Sequence, residues 1–363
     1  MSTILFQTIK NLSQPGFGDQ SFITGLRAYA AFMVILIHAG GAGLREFGDI
    51  GNRIADLGAA GVYIFFVVSG FCISHSLTKN SEIKQFWWKR FWRVAPAYYC
   101  ACLFGIITIV IGTPVSAWRS ILGETNLLYD VLMHLSFLSF LDYRTANSLV
   151  GVEWSIPIEM FWYAVIPFAL PLLRTWWTAI LLFILTCAVF SIKFIYHNFV
   201  PPEVLGEAIK WSPIRYAPAF FLGLLAYKLR PWVSSIFKPW ILDFGLLTLL
   251  IVGFFELIIL QIGNEYINIL LLTFGIILAG GKGPVSSFLF ERKSMIFLGT
   301  ISYSLYLTHM FVLHFLPTVF DTMPFVKFIA VSILTVIVST LSYLFIERKG
   351  IQIGRNLYKK RLT

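Results

Sequence analysis

What most constrains this chain is the recurrence, from end to end, of apolar runs about 20 residues long, the length an α-helix needs to cross a bilayer's hydrocarbon core. With no water in that core, each backbone N–H and C=O must find its partner inside the protein, so such runs fold as helices. They read at 22–41, 57–78, 95–113, 151–173, 176–197, 211–230, 240–260, 266–281, 297–316 and 324–346. An eleventh stretch, 127–141, is shorter and carries Asp130 and His134, which suits a re-entrant or interfacial segment better than a crossing. Hydrophobic residues make up 58% of the chain and charged ones 13%, with a mean hydropathy of +0.78. A soluble domain is excluded. The expected fold is all-α, a polytopic membrane helix bundle of about ten transmembrane helices plus one short re-entrant segment. Residues 1–20 read as a cytoplasmic lead, 21–349 as the membrane domain and 350–363 as a basic cytoplasmic tail. No cleavable leader pattern precedes the first span, which is expected to stay as an anchor.

Charge orients the spans. The net charge of +10 would suit nucleic acid if it were spread over a surface, but here it gathers in alternate loops. With ten crossings and both termini inside, 20 of the 28 Lys and Arg residues fall on one side. These include Lys84, Lys89, Arg90 and Arg93, then Lys282, Arg292 and Lys293, and the tail from Arg348 to Arg361. Counting 127–141 as a crossing would scatter them, so the positive-inside rule favours ten. Four cysteines, Cys72, Cys100, Cys102 and Cys187, all sit in apolar runs and imply neither a disulfide framework nor a metal site.

Polar residues inside these runs are the candidates for chemistry. Arg27 and His38 lie in the first span; eleven residues amount to three turns plus roughly 20°, so both side chains share a face about 16 Å apart along the axis. An ionisable residue within a span usually faces a protein interior or a wet path and marks function. The alternative is an arginine that snorkels and a histidine that bonds a neighbouring helix. Arg90 and Arg93, one turn apart in the tryptophan-rich stretch Phe86–Pro96, can fork onto phosphate oxygens or simply anchor the interface. Glu159, about two turns inside a span and next to Pro157, is costly unless paired, and a carboxylate beside His38 would raise its basicity. Trp154 and Ser155 precede it, and Arg215 opens a later span. Ser302, Tyr303, Tyr306 and His309 form a polar stripe on the ninth, while Gly61 and Gly70 read as packing positions. His134 reads as a satisfied histidine.

Taken together, these stretches resemble the integral-membrane acyltransferase family three, which includes O-acetyltransferases of bacterial surface sugars. The matching residues are Arg27-x10-His38, Gly61-Val with Phe65-Phe66-Val-Val-Ser-Gly70, Arg90-x-x-Arg93, Trp154-Ser155-Ile-x-x-Glu159, the Phe221-Leu-Gly223 region after Arg215, and Ser302-Tyr303-Ser-Leu-Tyr306-Leu-x-His309. Phe345-Ile-Glu347-Arg348 looks like the closing motif, with Lys349 where a proline is common. The resemblance implies transfer of acetyl from acetyl-CoA onto a hydroxyl of a glycan or other membrane-accessible acceptor, at a multi-pass protein of the bacterial inner membrane. It implies His38 as catalytic base or acyl relay, assisted by Glu159 and Arg27, with Arg90, Arg93 and Arg27 on the CoA phosphates. Trp154, Ser155, Arg215, Ser302, Tyr303 and His309 are candidates for the acceptor or the oxyanion, and no metal is expected. A surface polysaccharide such as O-antigen lipopolysaccharide is the first acceptor expected, a small hydroxylated lipid, oligosaccharide or macrolide the alternative. The chain's end soon after Lys349 suits a stand-alone form. Two non-enzymatic readings stand beside this one: a flippase of a lipid-linked sugar, against which the lack of an obvious inverted repeat counts, and a membrane scaffold, which leaves His38 and Glu159 unexplained.

Overall fold

The structure is a computed structural model that describes residues 21–79, 82–173, 202–261 and 264–360. The lead 1–20 and the expected span 176–197, with Arg174, Cys187 and His197, lie outside the described residues. Among those described there are helices and turns and no strand.

Each expected span within the described residues is helical. In chain order the helices are α1 Ser21–His38, α2 Gly48–Asp56, α3 Ala60–Lys79, α4 Ile83–Val110, α5 Trp118–Leu122, α6 Leu127–Leu135, α7 Ser155–Leu173 and α8 Pro202–Lys210. Then follow α9 Pro213–Ile236, α10 Pro239–Phe255, α11 Glu265–Ala279, α12 Pro284–Phe290, α13 Lys293–Thr300, α14 Ser302–Phe315, α15 Pro324–Ser342 and α16 Arg348–Lys360. Among the described residues, five helical stretches are long and apolar enough to cross a membrane, and six if α13 and α14, bent by 70° at their junction, count as one broken span. Large apolar side chains on α10 and α15, such as Ile251 and Ile333, face outward at 68% and 57% exposure. A soluble protein would not leave such a belt uncovered.

The described chain falls into two compact units, Met1–Phe71 with Leu222–Thr340 and Cys72–Phe221 with Leu341–Thr363. At the centre of the first is α1, packed against α12, α13 and α14. Small residues let these backbones touch. A Cβ at Gly61 of α3 would lie 2.3 Å from the Ala30 carbonyl oxygen, and one at Gly299 of α13 would lie 1.7 Å from that of Thr24. Gly61 therefore does the packing work its spacing predicts.

α4 forms the axis of the second unit, with α7 and α16 packed on it. α6 is a nine-residue helix about 13 Å long, which cannot cross a core of roughly 30 Å. It meets α4 where Tyr99 Oη donates to the Leu135 carbonyl and where the His134 ring stacks on Tyr98, and the chain then returns through a buried loop whose Leu149 carbonyl lies against Gly105. So short a helix agrees with the expectation that 127–141 is not a crossing. Beyond Arg348 the chain is not a loose tail but α16, whose Gly350 and Gly354 sit against Pro96 and Trp92.

Candidate active site

α1 carries Arg27 and His38 on one unbroken helix that stops at His38, three residues earlier than the apolar run suggests. The reason is backbone chemistry: Gly40, Gly41, Ala42 and Gly43 all have positive φ, from 55° to 82°, a conformation glycine adopts without strain. His38 thus ends the helix, half-buried, at the mouth of a tight left-handed turn. Its ring turns inward. Nδ1 lies 2.9 Å from the Val34 carbonyl oxygen and 3.1 Å from Nε2 of His309 on α14, the two ring centres being 5.0 Å apart. Arg27 is half-buried, one helix length below.

The bend between α13 and α14 presents the polar stripe. Ser302, Tyr303, Tyr306 and His309 are all buried, His309 at 1% exposure. His309 Nδ1 lies 2.7 Å from the Tyr306 carbonyl oxygen, and the Tyr306 ring meets Phe65 edge to face. The Ser302 hydroxyl is buried with no hydrogen-bond partner among the described residues.

Within the second unit a separate cluster forms around the arginine pair. Arg90 lies over the rings of Tyr163 and Phe86, at 5.0 and 5.4 Å, and donates to the Cys72 carbonyl at 3.2 Å. The Tyr163 hydroxyl donates to Glu159 one turn away on α7, and the Trp87 indole donates to the Tyr163 carbonyl at 2.9 Å. Arg93 is opposed by the negative charges of Glu347 and Glu159. Glu347 is 1% exposed; the sequence offered it only as part of the closing motif, and gave Tyr163 no role. The signal for Glu347 was an acid closing an apolar run just ahead of a basic tail. Arg90, Arg93 and Glu159 are thus brought together, as are His38 and His309.

The weaker candidates have plainer surroundings. Trp154 packs on Trp211 and Tyr216, and the Arg215 guanidinium stands 5.9 Å from the Tyr216 ring. Ser155 is buried at the start of α7. His134, read as a satisfied histidine, bonds the Asp130 carbonyl through Nδ1 at 2.7 Å and has Nε2 3.4 Å from a carboxylate oxygen of Glu153. No cluster of His, Cys, Asp or Glu with metal-ligand geometry occurs among the described residues.

Comparisons with known proteins find relatives of this chain. Nodulation protein 10 of Rhizobium leguminosarum bv. viciae is 25% identical over 369 residues, covering 93% of this chain and 95% of that protein. The acyltransferase MdmB of Streptomyces mycarofaciens is 26% identical over 43% of this chain and 42% of its own length. The peptidoglycan O-acetyltransferase OatA of Listeria monocytogenes is 29% identical over 42% of this chain, the match spanning 24% of that protein. No solved structure matches. The family model of the acyltransferase domain, acyltransferase family three, matches residues 20–344. That range takes in α1 with its histidine, the arginine pair on α4, the Trp154–Glu159 stretch and the broken α13–α14 span, and the chain belongs to this membrane acyltransferase family.

Proposed function

We propose that this protein is a membrane O-acyltransferase that moves an acetyl group from cytoplasmic acetyl-CoA to a hydroxyl of a cell-surface glycan. The observation that carries the reading is His38, the last residue of α1, held by a hydrogen-bonded ring inside a helix cluster instead of facing lipid. Membership of an acyltransferase family supports it, and the name of OatA, a peptidoglycan O-acetyltransferase, supports a glycan acceptor. A small hydroxylated lipid, oligosaccharide or macrolide is the alternative acceptor. The topology that goes with the reading is ten crossings of the bacterial inner membrane with both termini cytoplasmic.

In this mechanism His38 takes the proton of the acceptor hydroxyl as its oxygen attacks the thioester carbonyl. Ser302 and Tyr303, about 10 Å along α14 from His309, serve the donor's arm and not the oxyanion that forms at His38. As the intermediate collapses, the carbon–sulfur bond breaks and the imidazolium returns its proton to the departing thiolate. Arg90 holds CoA phosphates, and Arg27 is a further candidate for them. Glu159, expected to assist His38, accepts from the Tyr163 hydroxyl and opposes the charge of Arg93. Trp154, Ser155 and Arg215 are the candidates for binding the acceptor.

In membrane vesicles, His38→Ala is expected to lower acetyl transfer from labelled acetyl-CoA by at least about 100-fold while the protein stays folded and inserted. Near-normal turnover would remove the reading. Mass spectrometry of surface glycans from cells with and without the gene identifies the acceptor.

A further inference from the structure

We infer that His309 is a positioning residue for the proposed base: it accepts a hydrogen bond from Nδ1–H of His38 and so leaves Nε2 of His38 as the nitrogen that takes the acceptor's proton. The inference rests on the acyl-transfer reading above and concerns a residue expected only as an acceptor or oxyanion contact.

The argument is a proton count. Backbone carbonyls only accept hydrogen bonds. His309 Nδ1 lies 2.7 Å from the Tyr306 carbonyl oxygen and 3.3 Å from that of Leu305, so this nitrogen carries a hydrogen. His38 Nδ1 lies 2.9 Å from the Val34 carbonyl oxygen and carries one for the same reason. In a neutral imidazole only one nitrogen is protonated. His309 Nε2 is then a lone pair, and it stands 3.1 Å from His38 Nδ1. The proton on His38 Nδ1 is shared between a carbonyl oxygen and an imidazole lone pair, and the bonds run one way: His38 to His309 to the turn of α14.

The opposite polarity fails twice. For His309 to donate through Nε2 it would have to be an imidazolium at 1% exposure, with no carboxylate in ion-pair contact among the described residues. His38 Nδ1 would also have to turn a lone pair towards the Val34 oxygen at 2.9 Å. Burying an unpaired cation is costly, and two facing lone pairs repel.

A base oriented by a third group is the general logic of activated acyl transfer. Here a neutral ring fills the place that a carboxylate takes in hydrolase triads. It sets the tautomer and the ring angle without adding charge. When His38 gains a proton at Nε2, its Nδ1–H becomes a charge-assisted donor and the bond to His309 strengthens, which favours the transition state over the resting state. The sequence Tyr306-x-x-His309 supplies the geometry, because one turn of helix brings the Tyr306 carbonyl under the His309 ring.

Three measurements test this. In vesicles with labelled acetyl-CoA, His309→Leu is expected to lower kcat by about 10- to 100-fold, with KM for acetyl-CoA within about threefold. His309→Gln, whose amide oxygen can accept from His38, is expected to recover most of that loss. Equal impairment of the two variants, a loss confined to KM, or no loss at all would overturn the inference. Should His309→Leu fail to fold, nitrogen-15 NMR of the ring-labelled wild-type protein decides alone. His38, assigned by difference from His38→Ala, is expected to hold its proton on Nδ1, and a proton on Nε2 would overturn the role. A fully active His38→Ala instead removes the acyl-transfer reading itself, whatever tautomer is observed.

Discussion

At the scale of single residues, Arg90 and Arg93 look equivalent in the sequence and are not equivalent in the fold. Arg93 has its charge met from within, by Glu347 and Glu159. Arg90 is held by two aromatic faces and a carbonyl, and no carboxylate ion-pairs with it among the described residues. Cation–π contacts and one carbonyl leave a guanidinium most of its donors and its charge. Arg90→Ala is therefore expected to raise KM for acetyl-CoA by about 10-fold with little change in melting temperature. Arg93→Ala, which leaves two carboxylates without their counter-charge, is expected to lower stability by about 3 kcal/mol or more. Kinetics and thermal melting of the two purified variants check the split; equal behaviour would return them to a single phosphate-binding pair. The spacing of the arginines was legible because one turn of helix is a local property. Their division of labour was not, because it depends on Glu347, which is far along the chain and reaches Arg93 only through the packing of the chain's end on α4.

At the scale of elements, the helices were readable from their apolar runs, and their ends were not. α1 stops at His38 because residues 40–43 adopt left-handed backbone, a property of Gly-Gly-Ala-Gly that hydropathy does not register. Contact between backbones was foreseeable at Gly61, where a small residue recurs at helical spacing, yet its partner had to be seen. Gly61→Val would place branched carbon against the Ala30 carbonyl, and is expected to destabilise by about 1–3 kcal/mol or more, read as a lower melting temperature in detergent. An unchanged midpoint would mean that α3 does not approach α1 so closely. The loop between α6 and α7 makes a second case. Glu153 is fully buried and accepts the backbone N–H groups of Leu149, Gly151 and Val152 at 2.7 to 3.0 Å, with His134 beside it. Glu153→Ala strands three buried donors, each costing about 1–3 kcal/mol, and is expected to prevent insertion of a stable protein. On the exposed side of this loop Arg144 donates from its backbone and guanidinium to Asp142 and holds that carboxyl below its ordinary range. Since the folded value is the lower one, the stabilisation is complete above about pH 4 and fades as pH falls through the folded value. Arg144→Ala should bring the Asp142 titration, followed by carbon-13 NMR, back to the ordinary value.

At the scale of the whole molecule, the alternation of basic and acidic loops makes statements about sides that contacts within each unit can answer. The Tyr358 hydroxyl donates to Glu82 at 2.9 Å, so the start of α4 and the end of α16 share a face. Ser21 donates to Glu291, which pairs the start of α1 with the loop before α13 in the same way. At the far ends of their helices, Arg53 donates to the Ile258 carbonyl at 3.0 Å, and Gly105 of α4 meets Leu149. In the first two contacts the segments that meet, 79–93 with the chain's end and the start of α1 with 282–293, are ones that the positive-inside rule puts together. Because α6 turns back, α7 runs antiparallel to α4, from the level of Gly105 to Tyr163 beside Arg90. In a background without the four native cysteines, single cysteines at Lys84 and Lys359 are expected to react with a membrane-impermeant maleimide only from the cytoplasmic side. One at Tyr143 should react only from the outside. Labelling of Lys84 and Tyr143 from one side would mean that α4 does not cross the membrane, and the arginine pair and the loop below α7 would then face the same compartment. A transfer that begins with cytoplasmic acetyl-CoA and ends on a surface glycan needs them on opposite sides.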